Sequence, residues 1–443
     1  MRRSRKVILG VVVVVLVVVV GGYFYERPLL LTGTGYAAHN ACALDAIAHR
    51  DDAGDDLPSN PLVPLLRTST EDSGARASIL GVLARKRAWS TPGYGCTLAE
   101  HRPDLPPATT VTSAGNPYTS APVATDVPAS VGSALDRAFG DDLPSKARKD
   151  LGTRGVVVLK DGRLVAERYA HGFTASTPQL GWSMTKSLTN LLVGRLVAQH
   201  QVSLEDDHLR PEWKDARSRI TIRQLLQMTS GLHWDETYSL GTPITRMLYL
   251  EPDMARYVAA QKLDHASGTY LQYSSGSTTL LCSILAKGRG GADFPRRELF
   301  APLGLSSFVL EPDASGTPVC SSYGWATPRD WAALGQFALD DGHWAGKHLL
   351  PIGWMADSTK AVAVKKSEEK GYASGWWSNT QADGSLVEKD LPGDTYFAEG
   401  HDGQWIVVVP SHHLVVARLG FTPDTGTDDR VVRLTADLLT ALG

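Results

Sequence analysis

The hydrophobic pattern of the chain begins with one long uninterrupted run. Residues 7–25 contain no charged side chain and are mostly valine. As a helix the run would extend about 28 Å, close to the thickness of the hydrocarbon layer of a membrane. Four of the first six residues are Arg or Lys, and such residues remain in the cytoplasm by the positive-inside rule. The pattern predicts an N-terminal membrane anchor or signal over residues 1–30.

Two interpretations of this segment stay open, an uncleaved anchor and a removed signal peptide. A cleavable signal has a short apolar region followed promptly by a small-x-small site. The nearest such site, around Tyr36-Ala37-Ala38, lies well beyond the run. The spacing favours the anchor and predicts a single-pass protein of the bacterial inner membrane with a periplasmic body. Cleavage would make the protein secreted.

Alternating and helical patterns farther along the chain predict an α+β body. The predicted elements are strands at 156–160 and 163–169 around Asp161-Gly162, helices at 183–199 and 222–228, a helix starting at Thr327-Pro328, strands at 404–409 and 414–420, and a helix at 428–442. An Asp-Gly pair between two β-rich runs is typical of a hairpin. Strands at both ends of a helical middle indicate one antiparallel sheet flanked by helices, with a helical subdomain inserted between its strands.

The chain ahead of this body divides into two further parts. Residues 31–102 form a small N-terminal module with a helix-like stretch at 75–88, and residues 103–132 are rich in Pro, Thr, Ser and Ala. Such a composition is typical of an extended linker or belt. The body is therefore expected over residues 133–443.

The cysteines suit an oxidising compartment. Cys42 and Cys96 both precede the Pro-rich stretch, and we predict a disulfide between them that closes a loop and contributes about 4 kcal/mol by the chain-entropy relation. Cys282 lies in an apolar run and is interpreted as a small core residue, which leaves Cys320 free. The chain contains no C-x-x-C or H-E-x-x-H motif, so neither a metal nor a cofactor is expected.

Composition and charge exclude several classes of protein. The 43% hydrophobic and 21% charged residues are ordinary for a globular protein and exclude a mainly disordered or fibrous chain. The net charge of −3 conceals a basic N-terminus, because the residues after 30 carry −7. Without a basic field the body gives no sign of binding nucleic acid. A small-molecule substrate is the expected partner.

The candidate chemistry lies in Ser183-Met184-Thr185-Lys186. A Ser and a Lys three residues apart share one helix face, and a desolvated Lys can take the hydroxyl proton at neutral pH. The same spacing recurs at Ser367 and Lys370, but in a charged stretch that cannot desolvate a lysine. Ser183 instead opens an apolar helix directly after Trp182, so this pair is the candidate.

Five ordered motifs resemble the serine β-lactamase-like (class C) hydrolases, and within them the branch of 6-aminohexanoate-dimer hydrolases and esterases. They are Leu180-Gly181-Trp182-Ser183-Met184-Thr185-Lys186-Ser187, residues 220–232, Tyr273-Ser274-Ser275-Gly276, residues 322–331, and Gly400-His401-Asp402-Gly403-Gln404. The resemblance covers about residues 150–443 and implies a β-lactamase/transpeptidase-like fold.

The resemblance also implies catalytic roles. Ser183 is the acylated nucleophile, Lys186 its base, and Tyr273 the group that passes the proton to the leaving group. The backbone N–H groups of Ser183 and Gln404 form the oxyanion hole, where two aligned donors contribute several kcal/mol. G-x-S-x-G, the motif of α/β-hydrolases, is absent from the sequence.

The residues expected to bind substrate come from the same comparison. They are His401, Asp402, Gly403, Ser275 and Tyr238. Ser275 and His401 stand where β-lactamases usually have Asn and Lys, which grip the β-lactam amide and carboxylate. We therefore predict a serine hydrolase that cleaves a small ester or amide. The alternatives are a β-lactamase or D,D-peptidase, and a non-catalytic binding protein of the cell envelope.

Overall fold

A computed structural model of the chain describes residues 2–50, 53–58, 60–423 and 429–443. Its α-helices are α1 (Arg2–Ala46), α2 (Ala129–Ala138), α3 (Ser145–Leu151), α4 (Met184–Ala198), α5 (Ile222–Leu226), α6 (Pro243–Leu250), α7 (Met254–Ala259), α8 (Ser275–Ala286), α9 (Ala301–Leu303), α10 (Pro328–Leu339), α11 (Trp354–Ser358) and α12 (Asp429–Leu442). Its strands are β1 (Leu66–Glu71), β2 (Gly74–Ile79), β3 (Leu83–Thr91), β4 (Gly95–Leu98), β5 (Thr153–Lys160), β6 (Arg163–Tyr169), β7 (Gln179–Leu180), β8 (Tyr270–Leu271), β9 (Val309–Leu310), β10 (Gly324–Ala326), β11 (His343–Trp344), β12 (Lys347–His348), β13 (Lys366–Ser367), β14 (Trp377–Ser378), β15 (Tyr396–Gly400), β16 (Gln404–Val409) and β17 (Leu414–Gly420).

The sheet that organises the body has the order β14-β15-β16-β17-β5-β6, and neighbouring strands are antiparallel. β5 and β6 form the predicted hairpin. Its turn residues Asp161 and Gly162 have φ values of 51° and 71°, as a type I′ turn requires. β17 lies beside β5, with Val416 opposite Val158. Strands from both ends of the body thus form one sheet, which confirms the predicted α+β arrangement.

Helices cover both faces of this sheet. Val156 and Val158 of β5 pack on one face in a cluster with α2 and α12, whereas Val157 and Leu159 pack on the other in the larger cluster that includes α4, α8 and α10. This alternation is the two-residue period of a strand. Because both faces are buried, the central strands β5, β16 and β17 are apolar through most of their length.

Local capping signals set where several helices begin. The hydroxyl of Thr327 accepts a hydrogen bond from the backbone N–H of Asp330 (3.3 Å) at the start of α10. Thr221 and Gln224 form a reciprocal capping box at the start of α5. These helices confirm the predicted ones, and α4 agrees within a residue at each end. The last predicted helix is α12, and Asp428 of that prediction lies outside the described residues.

The N-terminal helix is longer than the apolar run predicts. α1 continues through Pro28 to Ala46, so the predicted anchor and the first part of the predicted module belong to one helix. Within the described part of the chain, this helix is long and apolar enough to cross a membrane by length and composition.

A small antiparallel sheet, β1 to β4 in order, packs against the second half of α1. The helix predicted at residues 75–88 is wrong, because this stretch forms β2, a turn and β3. Ala75 and Ala77 face α1 in a cluster of small side chains, while Arg76 between them is exposed. The stretch has helix-favouring residues, but contact with α1 selects the two-residue alternation of a strand.

Both cysteine pairs are bridged. The Cys42–Cys96 disulfide joins α1 to β4 with a Cα–Cα distance of 6.0 Å, the pair that the sequence favours. The interpretation of Cys282 as a thiol in the core and Cys320 as free is wrong, because these two residues form a second disulfide. Both are fully buried, and only the packing of α8 beneath residues 319–323 brings them together.

The Pro-rich stretch between the module and the body is a belt fastened to the body. The Asp293 carboxylate accepts hydrogen bonds from the backbone N–H (2.7 Å) and hydroxyl (2.6 Å) of Thr109. Farther along, the Asn116 amide donates to the Asp330 carboxylate at 2.7 Å. The last four residues of the Pro-rich stretch, 129–132, form the first turn of α2.

Candidate active site

Ser183 lies at the N-cap of α4, three residues after the end of β7, and is half-buried. The backbone before it turns sharply. Trp182 has a φ of 47°, and Gly181 lies so close to Trp331 that an added Cβ would come within 2.3 Å of the ring. This turn sets the Ser183 hydroxyl at the positive end of α4, where developing negative charge is stabilised.

Lys186 lies one helical turn after Ser183 and is 2% exposed. Its Nζ donates to Ser183 Oγ at 2.7 Å, to Ser275 Oγ at 2.8 Å and to the carbonyl oxygen of Ser321 at 3.1 Å. Burial lowers the pKa of Lys186 to about 8. The structure therefore brings the predicted pair together, and with this pKa about a tenth of the amine is neutral at pH 7.

Tyr273 completes the group around Ser183. Its ring centroid is 4.7 Å from Lys186 Nζ. The ring stacks on Trp377 at 5.4 Å and meets Tyr372 edge-on at the same distance. Burial raises the pKa of Tyr273 well above its usual value, and the Ser183 side chain offsets this in part. The hydroxyl of Tyr273 is therefore protonated at neutral pH, and it could donate a proton to a group bound beside it.

Glu236 belongs to this site, although the sequence motifs did not indicate it. Its carboxylate accepts hydrogen bonds from Ser275 Oγ (2.5 Å), from the backbone N–H of Ser275 (2.9 Å) and from Trp234 Nε1 (2.5 Å). Its negative charge raises the pKa of Lys186 against the effect of burial. The feature of the sequence that could have indicated Glu236 is its position two residues before Tyr238, which is predicted to bind substrate.

The turn of residues 401–403, between β15 and β16, lies beside the Ser183 segment. Gly400 is so close to Gly181 that an added Cβ would be 2.1 Å from its carbonyl oxygen. The side chain of Gln404 donates to the carbonyl oxygen of Gly420 at 2.7 Å and accepts from its N–H at 3.0 Å. These contacts hold the start of β16 in one position relative to α4.

Within this turn, the side chain of His401 faces an aromatic surface. Its ring stacks on Tyr238 with centroids 4.4 Å apart, and meets Trp182 edge-on at 5.7 Å. His401 Nε2 lies 3.4 Å from an oxygen of the buried Asp402 carboxylate. Asp402 and Gly403 have φ values of 60° and 81°, the left-handed region that glycine tolerates best. The turn therefore aims His401 toward Tyr238.

The second half of α1 reaches the same surface. Tyr36 stacks on Trp182 at 6.3 Å and contacts Tyr249 edge-on at 5.2 Å. Tyr36 and Asn40 line a small cavity together with Trp182 and Asp402. No sequence motif indicates that Tyr36, within the predicted module of residues 31–102, belongs to the site.

The arrangement supplies the groups that acyl transfer needs. A serine hydroxyl at a helix N-terminus is hydrogen-bonded to a buried amine, and a protonated tyrosine lies beside both. Of the residues predicted for the site, Ser183, Lys186, Ser275 and Tyr273 lie together. Residues 401–403 form the adjoining turn, Gln404 begins β16 directly after it, and Tyr238 stacks on His401. Among the described residues, no group of three or more His, Cys, Asp or Glu side chains is placed to hold a metal ion.

Comparison with known proteins bears on this site. The sequence profile of the Beta-lactamase family matches residues 142–441. The chain is 22% identical over 305 residues to the 6-aminohexanoate-dimer hydrolase of Paenarthrobacter ureafaciens, which covers 62% of this chain and 74% of that protein.

Solved structures with a similar fold include a penicillin-binding protein homologue and a carboxylesterase. A penicillin-binding protein homologue from Caulobacter crescentus superposes with a TM-score of 0.57 at 17% identity, covering 72% of this chain and 99% of that chain. A family VIII carboxylesterase gives a TM-score of 0.52 at 16% identity, covering 72% and 99%. At such identities the likeness concerns the fold alone.

Proposed function

The chain belongs to the Beta-lactamase family and has the β-lactamase/transpeptidase-like fold, and from this premise we propose that it is a serine hydrolase that cleaves a small ester or amide through an acyl-enzyme on Ser183. The observation that carries the proposal is the 2.7 Å hydrogen bond between Lys186 Nζ and Ser183 Oγ, in a site where burial lowers the pKa of the amine to about 8. An amine that loses its proton near neutral pH is a suitable base for a hydroxyl.

The proposed reaction begins when Ser183 Oγ attacks the substrate carbonyl carbon and its proton passes to the neutral amine of Lys186. The backbone N–H groups of Ser183 and Gln404 stabilise the oxyanion that forms. The proton then reaches the leaving alcohol or amine through the hydroxyl of Tyr273. In the second half, water attacks the acyl-enzyme, the proton follows the reverse route to Ser183 Oγ, and the carboxylic acid leaves.

Ser275 and His401 support an ester or a simple amide as substrate. The Ser275 hydroxyl donates a hydrogen bond to Glu236 at 2.5 Å and accepts one from Lys186 at 2.8 Å. Because both bonds are made within the protein, Ser275 does not replace the Asn side chain that binds a β-lactam amide. His401 is held against an aromatic ring and replaces the lysine that would bind a carboxylate. Both features disfavour a β-lactamase or D,D-peptidase.

We further propose that Tyr238 and His401 contact the substrate's acyl or amine group. Their stacked rings form an amphipathic surface next to Ser183, and such surfaces bind small organic groups with apolar bodies and polar ends. Asp402 and Gly403 contribute by setting the conformation of the turn that carries His401.

The N-terminal helix supports a location at the membrane. We propose that residues 7–25 span the bacterial inner membrane and that everything after them is periplasmic, with cleavage to a secreted form as the alternative. In keeping with a span, the side chains from Val11 to Val20 are between 46% and 67% exposed, an apolar surface suited to lipid.

The test of the proposed reaction is covalent labelling. The purified chain is treated with a fluorophosphonate and the adduct is mapped by mass spectrometry, with label expected on Ser183. Ser183→Ala should abolish hydrolysis of a p-nitrophenyl ester with little change in melting temperature. Ser367→Ala is the matched control, because Ser367 has the same spacing to a lysine but is exposed, and it should remain active.

Other outcomes separate the rival functions. A folded sample that carries no label at Ser183 contradicts the proposal. A penicillin adduct that is stable or hydrolysed would assign the chain to the β-lactamases or D,D-peptidases. Retention on peptidoglycan without turnover of any ester or amide would instead indicate a binding protein.

A further inference from the structure

The turn between β2 and β3 exposes apolar side chains. Leu80, Val82 and Leu83 are 55%, 63% and 38% exposed, and Gly81 between them has a φ of 83°. We name residues 80–83 the β2–β3 tip. Consecutive exposed aliphatic residues at a hairpin end are costly in water, and such patches mark sites of interaction.

The β2–β3 tip is held at one level of α1. The backbone N–H of Ala84, directly after the tip, donates to the hydroxyl of Tyr23 at 3.3 Å. Tyr23 lies two residues before the end of the uncharged run at Tyr25. Because tyrosines at the ends of spanning helices lie at the headgroup level, this contact sets the tip at the boundary between lipid and water.

A basic cleft of about 1190 Å³ adjoins the tip. Seven Arg or Lys side chains line it against two carboxylates, Glu100 and Glu251. Among the described residues, Arg27, Arg85 and Lys86 have no carboxylate oxygen within 4.0 Å. This local excess of positive charge contrasts with the net −7 of the chain after residue 30. Arg27, which lines the cleft, lies on α1 one helical turn after Tyr23.

We propose that the β2–β3 tip inserts into the outer leaflet of the membrane that α1 spans, and that the adjoining cleft binds the headgroups of anionic phospholipids. The inference rests on the proposed anchoring by α1. Aliphatic side chains flanked by arginines are the combination that binds the interfacial region, the apolar groups by burial and the cations by attraction to anionic headgroups. We choose lipid as the ligand of the tip and the cleft because Tyr23, which contacts the tip, lies at the end of the proposed membrane span.

A second attachment point would orient the body as well as tether it. A lone spanning helix fixes the distance of the site from the bilayer but leaves the body free to tilt. Tyr36 at the candidate active site follows Tyr23 by 13 residues on the same helix, roughly 20 Å at 1.5 Å per residue. With the tip inserted, the mouth of the site is held at that height in one orientation.

The experiment uses the full chain in vesicles and three variants, each with one added cysteine that is labelled with bimane while the four native cysteines stay in their disulfides. Val82→Cys reports the tip, Leu16→Cys reports the anchor, and Ile352→Cys is the control, since Ile352 is an aliphatic residue that is 85% exposed. Quenching is measured with lipids that carry a nitroxide on the headgroup or in the middle of the acyl chain. Vesicles contain phosphatidylcholine with or without phosphatidylglycerol.

The expected result is strong quenching of Val82→Cys by headgroup nitroxide when phosphatidylglycerol is present. Leu16→Cys should be quenched by the acyl-chain nitroxide, and Ile352→Cys by neither.

Arg27→Gln or Arg85→Gln should lower the ratio of docked to undocked tip about fivefold, since each cation near an anionic surface contributes about 1 kcal/mol. Val82→Cys quenched no more than Ile352→Cys, with Leu16→Cys still quenched, overturns the docking and leaves the anchor standing. An unquenched Leu16→Cys overturns both.

Discussion

The site has two walls of different construction. Ser183, Lys186, Ser275 and Glu236 form a polar wall, joined in sequence by hydrogen bonds of 2.7, 2.8 and 2.5 Å. An aromatic wall of four rings adjoins it, with centroid distances from 4.4 to 6.3 Å; its members are Tyr36, Trp182, Tyr238 and His401. One wall is directional and fully connected, whereas the other is held by packing.

The difference assigns the two walls different tasks. Hydrogen bonds lose much of their energy when a donor moves by a few tenths of an ångström or is misaligned, so the polar wall suits steps that require a proton at a defined atom. Ring contacts tolerate displacement and bury area, which suits binding of varied acyl or amine groups. Changes to the polar wall should therefore lower kcat, and changes to the aromatic wall should mainly raise KM.

After the complete loss of activity expected for Ser183→Ala, the largest effect is expected for Lys186→Arg. A guanidinium does not lose its proton at accessible pH, so the polar wall keeps its charge but loses its base, and kcat/KM should fall by about 10²- to 10⁴-fold. Hydrolysis of a p-nitrophenyl ester measures the loss, with melting temperature as a check on folding. Lys370→Arg, in the exposed second Ser-x-x-Lys, is the control. Activity within threefold of the parent would mean that Lys186 is not the base.

The pH dependence sharpens the same assignment. The active form of Lys186 is the neutral amine, and burial lowers its pKa to about 8. Lowering the pH protonates the amine, so log kcat/KM should fall about one unit per pH unit below about pH 8 and level off above it. A profile of a p-nitrophenyl ester's hydrolysis, corrected for the uncatalysed reaction, tests this. A plateau that already begins near pH 6 would exclude an amine as the base.

Glu236→Gln tests whether the polar wall acts as a connected unit. Removing a charged acceptor of three hydrogen bonds should lower kcat about tenfold, since hydrogen bonds to charged groups contribute about 1.5–3 kcal/mol each. The negative charge of Glu236 also raises the pKa of Lys186, so its loss should move the midpoint of the pH profile downward. The neighbouring Asp235→Asn is the control, because Asp235 is exposed. A lower kcat with an unchanged midpoint of the pH profile would mean that Glu236 positions its neighbours without affecting the pKa of Lys186.

The smallest effect is expected for Tyr36→Ala in the aromatic wall. Loss of its stacking on Trp182 should raise KM about fivefold and leave kcat within about twofold, since an aromatic contact contributes about 0.5–1.5 kcal/mol. Steady-state kinetics over a series of acyl-chain lengths measures the split. Tyr25→Ala on the same helix, where the side chain is 83% exposed, should change neither constant. A fall in kcat at constant KM would place Tyr36 in the chemistry.

Several elements followed from local sequence because local interactions decide them. The Asp161-Gly162 turn satisfies its own backbone requirement, and Thr327 caps α10 through a residue three positions away. The spacing of Ser183 and Lys186 brings their side chains together on any helix. Patterns of this kind need no knowledge of the rest of the chain.

Other features depended on segments that are far apart in the sequence. Residues 75–88 have helix-forming composition, and only the face of α1 makes them strands. Cys282 and Cys320 are 38 residues apart and give no sign of pairing until α8 packs beneath the second. Glu236 becomes part of the site because its loop folds onto Ser275, 39 positions later.

The amino-acid sequence by itself determined which reactive groups this protein has: Ser183 and Lys186 one helical turn apart, and Tyr273 in the Tyr273-Ser274-Ser275-Gly276 motif. It also determined the apolar run at residues 7–25. Tertiary structure alone decided the setting of that chemistry. It buried the amine and lowered its pKa, connected Glu236 through Ser275, and carried Tyr36 of α1 to the site. The reason is physical, since desolvation and contact depend on what surrounds a group in space, and neither can be read from its neighbours along the chain.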